Sequence, residues 1–271
     1  MTRLRFHVRT VWLTITLCAS PLAVAAPKPA KAGLAQIVAA LDGADDEAAA
    51  RAADTLGDRT EPAAHEALLD ALAWGTSPVV AVEVIAAVAK HPAPPDLAAL
   101  RRYAGHHDPR IRAAALGALA SYADPAARAA IAAGLRDPEA SVRAAAASAA
   151  ARGHVAAAID PLLALLGLGE EPAARALAAM ADPELVRRIG DQLGKVPEPA
   201  LALCLGLVLQ RADFGPDSER VEVVRALAKI KDPAADGALA DYLRATPKTP
   251  ARESRAEAEK LVQARTGGAT P

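Results

Sequence analysis

Aromatic side chains are scarce, at 3% of 271 residues. Beyond the first thirty positions they are Trp74, Tyr103, Tyr122, Phe214 and Tyr242, dispersed along the chain and placed to fill the ends of structural units. Binding to single-stranded nucleic acid relies on aromatic platforms inside a basic groove, and neither is present. Cysteine is nearly absent too, with only Cys18 and Cys204, and Cys18 falls in a segment expected to be removed, so no intrachain disulfide can form afterwards. Cys204 has apolar neighbours and reads as a small buried residue rather than a nucleophile. Positive charge is not in excess: formal charge is -1, and removing Arg3, Arg5 and Arg9 from 31 basic residues leaves 28 against 32 acidic ones. Duplex binding, which needs a basic field to displace counterions, is excluded as a leading function. There is no phosphate-cradling glycine loop, HExxH or GxSxG, so no catalytic constellation offers itself.

What is present is alanine and leucine. Hydrophobic residues make up 52% of the chain and charged residues 23%, a balance that buries a core. Alanine loses no side-chain entropy in a helix and leucine little, so the expectation is all-α. Residues 1–25 have the basic start, uncharged run and Ala23-Val24-Ala25 small-x-small site of a signal peptide, with cleavage after Ala25. The run is short and broken by Pro21, so no membrane span is expected after cleavage; an uncleaved N-terminal membrane anchor is the alternative. Residues 26–32 read as a linker and 267–271 as a disordered tail.

Between them the apolar positions follow helical periodicity. Leu34, Ile37, Val38 and Leu41 form one stripe, and Asp45-Asp46-Glu47 begins the next helix with negative charge at its positive end. Helix starts of this kind recur at 45, 77, 108, 137, 171 and 198, separated by 32, 31, 29, 34 and 27 residues, the period of a helical hairpin. Acid–proline or serine–proline pairs such as Ser77-Pro78, Asp108-Pro109, Asp124-Pro125 and Asp137-Pro138 mark the cuts, since proline in the first turn loses no hydrogen bond. Each start is followed by a pair at one of two spacings, the longer for Ala50-Arg51, Val82-Glu83 and Val142-Arg143 and the shorter for Ile111-Arg112 and Ala174-Arg175. The pattern aligns Glu219 and Val224-Arg225 as a further second-helix start, only 21 residues after Glu198, which predicts an irregularity near 195–218, with a first helix missing or the segment 198–212 taking that role.

The stretch Asp137 to Ala146 resembles HEAT repeats, particularly the short form of phycobilisome-lyase-like HEAT proteins, and the resemblance extends over residues 33–266. It implies a right-handed α-solenoid of about seven HEAT-like hairpins, in which the turn acid of one repeat meets the second-helix arginine of its neighbour. The implied structural ladder is Asp108, Arg112, Asp137 and Arg143, with Arg51, Arg175 and Arg225 as weaker members and Glu83 and Cys204 as interruptions.

Two histidine groups are candidates for metal chemistry. HEAT proteins resembling deoxyhypusine hydroxylase hold iron with several His-Glu pairs, but this chain has only His65-Glu66, which reads as an exposed helix position. His106-His107-Asp108 lies in a turn with no further ligands at suitable spacing, and Asp108 reads as an N-cap. No metal, cofactor or catalytic residue is therefore expected. The expected function is a noncatalytic, exported, periplasmic scaffold for a protein or peptide partner, not nucleic acid, with second helices lining the binding surface. A bilin-lyase-like activity and a nucleic-acid role like that of HEAT-like alkylpurine DNA glycosylases are the alternatives that the resemblance implies.

Overall fold

A computed structural model of the protein describes residues 33–267. The leader expected over 1–25, the linker over 26–32 and the tail residues 268–271 lie outside the described residues. Fifteen α-helices follow one another, with no strand among the described residues. They pair as α1 (Leu34–Leu41) with α2 (Asp46–Gly57), α3 (Pro62–Trp74) with α4 (Pro78–Val88), and α5 (Asp96–Tyr103) with α6 (Pro109–Leu119). Next come α7 (Pro125–Gly134) with α8 (Ala140–Arg152), and α9 (Ile159–Gly167) with α10 (Glu171–Met180). The last pairs are α11 (Pro183–Gly190) with α12 (Glu198–Gln210) and α13 (Asp217–Ala228) with α14 (Pro233–Ala245), followed by a single α15 (Glu253–Gly267).

The helix starts have a local cause. Asp45, Asp108, Asp124, Asp182 and Asp232 each accept a backbone N–H from the first turn of the helix they precede. That satisfies donors with no partner inside the helix. Asp137 differs: α8 begins only at Ala140, and the Asp137 carboxylate accepts the Glu139 N–H at 2.9 Å within the turn instead.

The packing forms an α-solenoid. Helices α2, α4, α6, α8, α10, α12 and α14 touch in that order and make one continuous row. Helices α1, α3, α5 and α7 contact one another successively on the other side, and α11, α13 and α15 continue there. Small residues let the second helices approach closely. A methyl on Gly57 would lie 2.8 Å from both Cα and Cβ of Ala87, and one on Gly206 would lie 2.7 Å from the Ala238 Cβ. Leucines, valines and isoleucines on either side, among them Leu56, Val84, Ile111, Leu116, Val142, Leu177 and Leu205, are all but inaccessible to solvent.

The alignment of Glu219 with second-helix starts is corrected by this packing. Helix α13 lies against α11 and α15, in the first-helix row, while α12 sits between α10 and α14 in the second. No helix is missing. The short interval arises because it was counted from a second helix to a first one. Two arginines hold the connection after α12: Arg211 donates to the carbonyls of Ala178 (2.9 Å) and Ala181 (2.7 Å), and the buried Arg220 donates to those of Leu209 (3.0 Å) and Arg211 (2.7 Å). No helix among the described residues is long and apolar enough to cross a membrane.

Candidate functional site

The turn that joins the two helices of each hairpin repeats along one edge of the stack, and the bridges made by Arg112 and Arg143 lie there. In its middle the edge is laced by arginines. Arg112 donates from Nε and Nη2 to both carboxylate oxygens of Asp137, each at 2.8 Å, and from Nη1 to the carbonyls of His106 and His107. One repeat on, Arg143 donates to Glu170 at 2.9 and 2.6 Å and to the carbonyls of Asp137 and Pro138. Each guanidinium thus closes its own turn and clamps the next. The Arg112 guanidinium holds the Asp137 carboxyl below the usual carboxylate range. Asp108 takes no cross-repeat arginine; it pairs with Arg110 at 2.7 Å, which lowers its pKa to about 2.

The weaker members of the implied ladder make no such bridge to a following turn acid. Arg51 pairs with Glu47 and Arg175 with Glu171, each one turn away on its own helix. Arg225 contacts Glu222 on its own helix and Glu257 on α15. Cys204 is fully buried, and desolvation pushes its thiol up to about 12.

At the start of the edge, where no arginine bridge forms, a cleft of about 380 Å³ opens between the first two hairpin turns. Asp42, Asp46 and Asp70 line it together with Trp74 and Thr76, and no basic side chain does. Trp74 ends α3 and is 89% exposed, so the expectation that it fills the end of a hairpin is corrected. The following residue, Gly75, has φ +90 and turns the chain sharply away, leaving the indole outside the hairpin it terminates. The other four aromatics, Tyr103, Tyr122, Phe214 and Tyr242, are buried.

The histidine reading needs a second correction. His65 is not a free surface residue: its Nε2 lies 2.7 Å from Oδ1 of Asp96, which is wholly buried. Asp96 also accepts the Ala93 N–H at 2.7 Å and the Tyr122 hydroxyl at 2.6 Å, so one carboxylate joins α3, the start of α5 and the end of the third hairpin. Burial and this hydrogen bond push the Tyr122 phenol upward. Asp96 carries no helical stripe or repeat signature, and its partners lie 31 and 26 residues away, so the sequence offered no signal for it. His106 accepts the Asp108 N–H at 3.0 Å and stacks between Tyr103 and His107, which commits it to the turn.

Paired helices stacked in two rows and braced through their turns define a helical-repeat solenoid. The HEAT-repeat family matches residues 66–151 and again 102–181, the second to fifth hairpins of the stack. Among solved structures the chain is similar to Kap121p, with TM-score 0.51 and 14% identity over 84% of this chain, and it spans 29% of that protein's length. It is also similar to the complex of CpcE and CpcF of phycocyanin lyase from Nostoc sp. PCC7120, with TM-score 0.48, 19% identity, and 92% and 99% of the two chains covered. Human deoxyhypusine hydroxylase aligns with TM-score 0.38 and 19% identity over 86% of this chain and 96% of that one. These likenesses concern the fold alone. Comparison with curated proteins gives no match.

Proposed function

We propose that the protein is a noncatalytic HEAT scaffold, exported to the periplasm through its N-terminal leader, that holds a segment of a protein partner on its turn edge. One observation carries this reading: Trp74 stands 89% exposed beside an open cleft. An indole buries more apolar area than most side chains when covered, and aromatic residues of this kind anchor protein interfaces. The cleft is framed by two successive repeats, so its surface is already formed and no element has to order on binding.

A photoreactive amino acid at Ala73, exposed beside Trp74 on α3, tests this in the intact cell envelope. The expected result is a cross-link to one or a few proteins, which are also retained by the tagged full chain above a tag-only control across salt conditions. Absence of any retained protein and any cross-link overturns the scaffold reading. Fractionation with the periplasm tests export; recovery of the uncleaved chain in the cytoplasm overturns it.

A further inference from the structure

Charge along the turn edge is arranged unevenly. In the third to fifth hairpins the turn acids Asp137 and Glu170 are neutralised by the arginine of the preceding repeat. The first two hairpins lack the parts for such a bridge. Ser77 stands where Asp137 stands in its repeat, so Arg51 meets no acid across the gap and remains with Glu47. Glu83 stands in the arginine position of the second repeat. Asp42, Asp46 and Asp70 consequently face the cleft with no ion pair among the described residues.

Four further features decide what chemistry the cleft suits. The indole face of Trp74 attracts cations through its ring quadrupole and covers an aliphatic stem equally well. The hydroxyl oxygen of Thr76, which lines the cleft, is buried and has no hydrogen-bond partner, and it can accept from an N–H donor. Helices α1 and α3 end here with their carbonyls, the end of the dipole that favours positive charge. The opposing N-termini of α2 and α4 are already closed, by Asp45 accepting from Glu47 and Ala48 and by Ser77 accepting from Val80, so an anion finds few free amides.

We infer that the cleft between the first two hairpin turns receives a lysine or arginine side chain of the partner segment, its stem on Trp74 and its charge among Asp42, Asp46 and Asp70. This rests on the scaffold reading and names the chemistry of its docking point. The neighbouring groove limits the partner further. It is lined by Arg102, Tyr103, His106 and His107 and lies one hairpin along the same edge. At a helix spacing of roughly 10 Å, an extended segment reaches it about three residues later. A polybasic run would place its next charge against Arg102, so the site selects an isolated cation.

The test uses the full chain carrying Trp12→Phe, which leaves Trp74 as the only tryptophan and its emission as the readout. Short uncharged peptides with one central lysine, arginine, norleucine or glutamate are titrated against it. Lysine and arginine peptides are expected to change the Trp74 emission and to bind about tenfold tighter than the norleucine peptide, the glutamate peptide more weakly still. Asp46→Asn with Asp70→Asn should remove that preference, with circular dichroism confirming an unchanged fold. Equal binding of lysine and norleucine peptides overturns the inference. So does a calcium titration that reproduces the emission change and abolishes peptide binding, because it would make the carboxylates a metal site. The two proposals fail separately: if Trp74→Ala retains the cellular partner as well as the unaltered protein does, the cation site falls and the scaffold stands, whereas capture of no partner by either removes the scaffold.

Discussion

Asp137 and Asp108 look alike in sequence, each a turn acid before proline, yet they do different work. Asp108 pairs with Arg110 two residues away, an exposed contact within one turn that holds little of the stack together. Asp137 joins consecutive repeats, and both it and Arg112 are nearly covered. Its folded-state pKa lies below its unfolded value, so it contributes stability that is complete above the ordinary aspartate range and lost as pH falls through the lowered pKa. Asp137→Asn should therefore lower the urea midpoint at neutral pH and flatten its fall between about pH 4 and the lowered pKa. An unchanged pH profile below 4 would show the bridge to be idle. Asp96 is the more sensitive residue: Asp96→Ala leaves the Tyr122 hydroxyl, the Ala93 N–H and His65 without their acceptor inside the core. Urea unfolding of that variant should show a loss of roughly 3 kcal/mol.

At the scale of the element, close contact between second helices is the property that the alanine-rich composition supports. Gly57→Ala meets the backbone of Ala87, which cannot swing aside, and Gly206→Ala meets the Ala238 methyl. Each should cost about 1–3 kcal/mol in denaturant unfolding. Gly237→Ala is the matched control: it lies inside α14 with open space around its Cβ, and should stabilise by about 0.5–1 kcal/mol. Helix positions were legible because capping acids and first-turn prolines act locally. Row membership was not. Glu219 to Arg225 carries the acid and arginine spacing of a second helix, and only contacts with α11 and α15 decide that α13 is a first helix. The cleft was hidden for the same reason: Asp42, Asp70 and Trp74 come from two hairpins and share a surface only after stacking.

For the whole molecule, each repeat is stabilised by its neighbours, so stability should grade along the stack instead of being lost in one step. Helix α2 has a second-row neighbour on one side only, α4, while α6 and α8 are flanked on both. Native-state amide exchange should accordingly protect α6 and α8 more than α1 and α2; uniform protection would mean that the stack opens as a single cooperative unit. Cys204 lies fully buried on α12, between α10 and α14. A thiol reagent therefore cannot reach that sulfur until those three helices part, and the rate at which Cys204 is labelled becomes a clock for that one rupture. A partner gripping the far edge would slow the clock only if its hold is felt at the opposite end of the molecule.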